Sequence, residues 1–273
     1  MNKKLVNKIV LIVILALVSL VYIIPILLMV LGSFKTQGEA LLFDLSLPKE
    51  WLISNYAYVF KTGNILRGYI NSIITTGGAV IITLIVGSFA GIIISRRKDW
   101  KGNALYYFFV FGLTMTLQTV TTFALLKVLK LYGTYIGVIL IFVAVRLPFT
   151  IMTFASFVKG VPKEIDEAAI VDGCGPIRLV IHILLPILKP IMITNLIITT
   201  ISVWNNFIIP LYYFGTSSKW TVPLTVYGFF GMYSRNWHYV FAALVLTVIP
   251  IVTLYLLLQK HIVEGMTSGA VKG

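Results

Sequence analysis

Residues 68–95, GYINSIITTGGAVIITLIVGSFAGIIIS, carry no charged side chain, and Arg96, Arg97, Lys98 and Lys101 follow at once. A helix crosses the hydrocarbon core with about 20 apolar residues, so this stretch is long enough to span a bilayer and ends on a basic flank. The pattern recurs on both sides of it. Uncharged runs cover 9–34, 102–126, 190–218 and 236–259, and 131–158 is apolar apart from Arg146. Long continuous runs argue for helices: barrel strands are about 10 residues of alternating polarity, and a helix satisfies its own backbone hydrogen bonds in lipid. The expectation is an all-α polytopic membrane protein. Its six transmembrane helices are placed at 9–34, 71–95, 103–126, 131–158, 189–216 and 237–259 of a single domain, 1–273.

Composition agrees. Hydrophobic residues make up 59% of the chain and charged ones 11%, with a mean hydropathy of +0.97, whereas a soluble domain has about 25% charged residues. Lys3, Lys4 and Lys8 precede the first run like the start of a signal peptide. That run is far longer than the roughly 7–15 apolar residues of such a segment, so it is read as a retained span. With both termini on the cytoplasmic side, thirteen Lys/Arg lie inside and eight outside, with Arg146 between, in the sense of the positive-inside rule. The formal charge of +13 is then mainly a topology signal. No soluble domain carries a basic face for nucleic acid. The single cysteine, Cys174, excludes an internal disulfide and a multi-cysteine zinc site.

Between the spans, residues 35–67 form the largest outer loop, in which Pro48, Lys49 and Glu50 precede Trp51, Tyr56, Tyr58 and Phe60, an amphipathic stretch suited to the membrane interface. The outer loop 217–235 carries Trp220, Tyr227 and Tyr233, with Trp237 beyond it. The informative segment is 159–186, cytoplasmic in this topology. Within it, 161–173 reads as a short helix: Pro162 suits its first position, Glu164, Asp166 and Glu167 its positive first turns, and Gly173 its end. Ile165, Ala168 and Ala169 share one face at i, i+3 and i+4, an apolar ridge able to enter a cleft on another protein. After Gly175, Pro176 starts a second helix through Arg178 and His182 to Leu185, which Pro186 interrupts. His182 reads as structural.

The string Glu167-Ala168-Ala169, three residues, Gly173, nine residues, Ile183-Leu184-Leu185-Pro186 resembles the EAA loop of ABC-importer permeases at every defining position. Val161-Pro162-Lys163-Glu164 ahead of it is similar to carbohydrate permeases of the MalG type. So are Gly32-Ser33-Phe34-Lys35-Thr36 closing the first span, Asn55-Tyr56, Asn71-Ser72, Trp204-Asn205-Asn206-Phe207 before Pro210, and the ending Gly265-Met266-Thr267-Ser268-Gly269-Ala270-Val271-Lys272-Gly273. Many relatives carry an acidic residue where Asn206 stands. The resemblance covers essentially the whole chain. It implies the type I importer permease (MetI-like) fold and half of the membrane pathway for a carbohydrate in a bacterial inner membrane. It implies that Glu167, Ala168, Ala169, Asp172 and Gly173, with Ile183, Leu185 and Pro186, form the coupling surface that docks on an ATPase subunit. The implied partners are a second, MalF-like permease, a dimeric ABC ATPase, an extracellular solute-binding protein and membrane lipid.

No G-x-x-x-x-G-K-[ST] phosphate cradle occurs in the chain, so ATP and Mg belong to the partner ATPase and this chain holds no cofactor or metal. The nine carboxylates include Glu164, Asp166, Glu167 and Asp172 in the loop, and the three histidines lie far apart, so no catalytic constellation is legible. No span contains a carboxylate for a proton relay, which argues against the rival reading, a stand-alone secondary transporter. A permease for a non-sugar solute is the other alternative, opposed by the chain's ending. Arg146, the charge deep in a span, faces protein or water; it either lines the pathway or bonds the partner permease or backbone carbonyls. Trp204, Asn205 and Asn206 are pathway candidates, because amides hydrogen-bond sugar hydroxyls and aromatic faces stack on sugar rings. The alternative is polar glue between helices. Asn195 and Thr199 share a side of the same span. The tail 260–273, with glycines at 265, 269 and 273, is expected to be extended or flexible unless bound.

Overall fold

The computed structural model describes residues 3–229 and 236–270, with side chains for 7–229 and 236–259. Tyr233 and Arg235 of the outer loop and the last residues of the tail, 271–273, lie outside the described residues. In chain order the helices are α1 (Lys3–Phe34), α2 (Gln37–Ala40), α3 (Ser54–Thr62), α4 (Ile65–Arg96), α5 (Trp100–Thr114), α6 (Thr119–Val128) and α7 (Tyr135–Lys159). They continue with α8 (Glu164–Val171), α9 (Pro176–Arg178), a π-helical segment (Leu179–Leu184), α10 (Leu185–Ile187), α11 (Lys189–Trp204), α12 (Ile208–Tyr213), α13 (Val222–Val226) and α14 (Trp237–Ala270). No strand occurs among the described residues.

Four helical stretches are long and apolar enough to cross a membrane: Asn7–Phe34, Ile65–Arg96, Tyr135–Lys159 and Trp237–Gln259. Two bent pairs raise the number to six if each counts as one span, Trp100–Thr114 with Thr119–Val128 at 116° and Pro176–Ile187 with Lys189–Trp204 at 78°. The third predicted span is therefore not one straight helix. Met115 is extended, with ψ 126°, and the Gln118 amide donates to Thr116 Oγ1 at 3.2 Å. The fifth predicted span is also interrupted: α11 stops at Trp204 and α12 begins at Ile208. In the gap, Asn206 Oδ1 accepts the Ile209 amide at 2.9 Å, and Pro210, which has no N–H to give, sits in the first turn of α12. At the C-terminus, α14 runs on to Ala270 where an extended tail was expected. Adding a residue to an existing helix is far cheaper than starting one.

The chain divides into two compact units. The first comprises Met1–Gly68 and Val222–Pro250. Its centre is Lys35, 1% exposed, whose Nζ donates to the Asp44 carbonyl at 3.0 Å, to Asp44 Oδ1 at 2.5 Å and to Ser46 Oγ at 3.1 Å. A buried ammonium needs such a set, since an unpaired one is costly to desolvate. Asn55 Nδ2 bonds the carbonyls of Ser33 and Lys35, both at 3.0 Å, and Thr36 and Glu39 close a reciprocal capping box on α2. The aromatic stretch is partly amphipathic: Asn55 and Val59 of α3 are buried while Trp51, Tyr58 and Phe60 are exposed. Tyr58 stacks on Tyr239 at 4.2 Å.

The second unit comprises Tyr69–Thr221 and Ile251–Gly273. Its heart is the close approach of α4 and α7. A Cβ added to Gly87 would lie 2.5 Å from Thr150 Cγ2, and one on Gly91 2.5 Å from Phe154 Cβ. Small residues at these positions let two helix backbones approach, the usual device where lipid supplies no hydrophobic drive. Phe154 and Val158 of α7 then pack with Val80, Leu84 and Ile92 of α4 and with Leu184 and Leu188.

Candidate functional site

Helix α8 begins at Glu164, two residues later than Pro162 leads one to expect, because Lys163 is the N-cap and Glu167 N makes an early helical bond to Lys163 O at 3.0 Å. Glu164, Asp166 and Glu167 occupy its first turn, where the helix dipole favours negative charge. Its end is a Schellman motif. Gly173 N bonds Ile170 O at 3.0 Å, Cys174 N bonds Ala169 O at 2.9 Å, and Gly173 has φ +81°, a left-handed conformation that glycine adopts without strain. Nothing lies within 4 Å of a Cβ at Gly173, so backbone conformation alone demands glycine there.

The predicted ridge is split between two faces. Ala169 is buried and Ile165 packs inward on the Val161, Leu184 and Leu188 cluster, whereas Ala168 is exposed. The outward surface of the loop is Glu167, Ala168, Ile170, Val171, Asp172 and Gly173. Ile170 is 61% exposed, Val171 86% and, beyond the turn, Ile177 69%. These are three bare β-branched side chains in a loop whose Glu167 and Asp172 are exposed as well, and exposed apolar groups gathered with charges are a feature of surfaces that bind other proteins.

The second half of the loop also differs from expectation. Pro176 does start a helix, but after Arg178 the chain takes the wider π geometry over Leu179–Leu184, and Leu185 N bonds Val180 O five residues back. Pro186 then sits in the first turn of α10 and does not break it; the bend falls at Leu188. The proline ring has no N–H and collides with the carbonyl four residues back, and widening the preceding turn accommodates both. Ile183 and Leu185 are half-buried and Pro186 is exposed.

Arg96 was legible in the sequence only as a flanking charge. Here it clamps α8 to the rest of the unit. Its Nε lies 2.7 Å from Asp166 Oδ2, Nη2 donates to Asp166 Oδ1 at 3.0 Å, and Nη1 donates to the carbonyls of Val161 and Val158 at 3.0 and 3.3 Å. The pair is 16% and 14% exposed, so it is shielded from most of the screening that weakens surface pairs. The partners stand 70 residues apart, beyond the reach of any local motif.

The pathway candidates lie on two stretches of the chain, Arg146 on α7 and Trp204, Asn205 and Asn206 at the end of α11 and beyond it. Arg146 lies on α7 with a buried Nε that has no hydrogen-bond partner, and no ion pair reaches it among the described residues. Trp204 is 6% exposed at the end of α11, with the Tyr69 ring centroid 6.2 Å away. Asn205 is exposed at the C-cap of α11, and Asn206 spends its carbonyl oxygen on the Ile209 amide. Asn195 is 1% exposed; its Oδ1 accepts Thr153 Oγ1 from α7 at 3.0 Å, and its Nδ2 donates to Ile191 O at 3.0 Å. That is polar bonding between helices. Asn71, quoted above only as a matching dipeptide, is a knot: Nδ2 donates to the carbonyls of Ser218 and Trp220 at 3.1 and 2.8 Å, and Oδ1 accepts Tyr135 OH at 2.7 Å.

The described residues are helical, with several membrane-length apolar helices and a short, tethered surface helix, the architecture of a polytopic membrane protein. The model of the family of binding-protein-dependent transport system inner membrane components matches residues 84–268, and the chain belongs to that family. The chain is 32% identical to the diacetylchitobiose uptake system permease protein NgcG of Streptomyces coelicolor over 92% of this chain and 84% of that protein. It is also 32% identical to the probable ABC transporter permease protein YurM of Bacillus subtilis, over 91% and 83%. Among solved structures, a chain of a bacterial ABC transporter that imports the acidic polysaccharide alginate superposes with a TM-score of 0.82 at 21% identity, covering 95% of this chain and 98% of that one. The fold is that of an ABC-importer permease.

Proposed function

We propose that the chain is the permease subunit of a carbohydrate importer, spanning the bacterial inner membrane six times with both termini in the cytoplasm and forming half of the pathway. The observation that carries the reading is the outward face of α8, with Glu167, Ala168, Ile170 and Val171 exposed on a helix whose other face and whose Asp166 are fixed to the chain's interior. A helix held in this way transmits a push to the membrane helices without turning in place. An ATPase dimer, which supplies the ATP and Mg sites, docks on it. ATP binding favours one state of the permease pair, and that differential affinity drives alternating access. Glu167, Ala168, Asp172 and Gly173 make the docking contacts, and Ala169, Ile183, Leu185 and Pro186 hold the loop.

The carbohydrate class is supported by the diacetylchitobiose system named for a relative with 32% identity. In this reading a solute-binding protein delivers the sugar from outside, and Trp204 and the free amide of Asn205 meet it in the pathway. Arg146, which has no ion pair among the described residues, is met by a group of the second permease. The chain itself performs no catalysis. The test is purification of the tagged chain from gently solubilised membranes, with identification of what co-elutes and an ATPase assay. A second six-helix permease and a Walker-containing ATPase are expected, with sugar-stimulated hydrolysis lost on Glu167→Ala. Recovery of the chain alone, or stimulation unchanged by that substitution, refutes the importer reading.

A further inference from the structure

A cleft of about 630 Å³ opens where α4 and α7 end, lined among others by Arg96, Arg97, Lys98, Lys159, Lys163 and Glu164. Its charges divide into two groups. Arg96 is neutralised by Asp166, and Arg97 by Asp99, with Nη2 to Oδ2 at 2.8 Å. Lys98, Lys159 and Lys163 form no ion pair among the described residues. Lys159 has instead an aromatic face, its Nζ 4.8 Å from the Tyr106 ring centroid, an arrangement that orients an ammonium without cancelling its charge. Glu164 is the one acid in the wall, so the lysines leave an excess of positive charge. Ser95, also in the wall, has a buried Oγ that no described group satisfies.

The level of the cleft says which anion it meets. Arg96 and Lys159 are the last residues of two membrane-length apolar helices, so the cleft sits where those helices leave the hydrocarbon. Trp100, two residues beyond Lys98 at the start of α5, is 74% exposed, and such aromatics settle at the headgroup layer. We propose that this cleft is a binding site for the phosphate headgroup of an anionic phospholipid, with Lys98, Lys159 and Lys163 as its ligands. Basic pockets between helices at a membrane surface recognise lipid headgroups through this chemistry. Lys163 is also the N-cap residue of α8, so a bound headgroup touches the base of the tethered helix.

The experiment uses the full chain purified in mild detergent and offered dioleoyl phosphatidylglycerol or dioleoyl phosphatidylcholine, with retained lipid read by native mass spectrometry. Phosphatidylglycerol is expected to be retained about tenfold or more over phosphatidylcholine. Each of Lys98→Gln, Lys159→Gln and Lys163→Gln is expected to weaken it about fivefold, from the attraction of one lysine to an anionic headgroup. The triple arginine variant keeps the site, which separates a lost cleft from a lost fold. Equal retention of the two lipids, or retention unchanged in the triple glutamine variant, overturns the proposal. Displacement of the lipid by inorganic phosphate assigns the cleft to a free anion and overturns the lipid assignment. If the glutamine variant loses a co-purifying ATPase while lipid retention stays constant, the lysines face that protein and the proposal likewise falls. The importer reading stands or falls separately, on partner recovery.

Discussion

Substituting Arg96→Gln and Asp166→Asn, singly and together, measures how firmly α8 is held. Hydrogen bonds to charged groups contribute about 1.5–3 kcal/mol, and this pair is mostly buried, with one such bond from Nη2 to Oδ1 and Nε close to Oδ2. Asp166→Asn leaves the guanidinium its two carbonyl partners, those of Val158 and Val161, so its loss is expected near 1.5–3 kcal/mol. Arg96→Gln removes those two bonds as well and strands a carboxylate; the positive end of α8 offsets only about 0.3–1 kcal/mol of that. It is the costlier change. In the double variant the stranded charges are gone, and a coupling of about 1.5–3 kcal/mol remains as the difference from additivity. The assay is thermal unfolding of the full chain in detergent, paired with hydrogen exchange of the α8 amides, which reports release of the helix without global unfolding. Additivity within about 0.5 kcal/mol, or α8 amides equally protected in all four proteins, refutes the clamp.

Gly173→Ala forces an L-residue into φ +81° at a cost of about 1–2 kcal/mol, and faster exchange at the last turn of α8 is expected; unchanged exchange there would show that the Schellman turn does not close the helix. Gly91→Ala puts a methyl group 2.5 Å from Phe154 Cβ and 3.1 Å from the Ala155 amide nitrogen, atoms that cannot yield independently, so overpacking costs about 1–3 kcal/mol. Gly77→Ala, whose Cβ meets nothing within 4 Å, is the paired control, and equal thermal midpoints for the two variants would contradict the close α4–α7 contact. The Asp44 carboxyl is held below the ordinary carboxylate range chiefly by the hydrogen bond from Lys35, then by that from Ser46. Its contribution to stability is therefore complete above the unfolded value of about 3.9 and lost as pH falls through the lower folded value. The acid loss of thermal stability below about pH 4 should shrink in Asp44→Asn, while a slope identical to that of the parent would remove Asp44 from the account.

The sequence alone determined the class of structure and the location of its informative loop. Apolar runs of membrane length and their basic flanks are additive, local properties, and they are sufficient to make the chain an all-helical membrane protein. Gly173 was legible for the same reason, since a helix end needing a left-handed residue is specified within a few positions. Pro162, Pro176 and Pro186 marked the loop's boundaries to within a few residues. The tertiary structure decided which way those elements face. The ridge of Ile165, Ala168 and Ala169 is one face by helical periodicity, but the Leu184 and Leu188 cluster takes Ile165, Ala169 is buried, and Ala168 is left with Ile170 and Val171 outside. The break after Trp204 is met by the Asn206 side chain satisfying a backbone amide, a competition that hydropathy does not register. Arg96 read only as a flanking charge, and the burial of Lys35 was not legible, because their oxygen partners come from other turns of the chain. Burial and pairing are properties of the folded neighbourhood, and long-range contacts assemble that neighbourhood only once the helices pack.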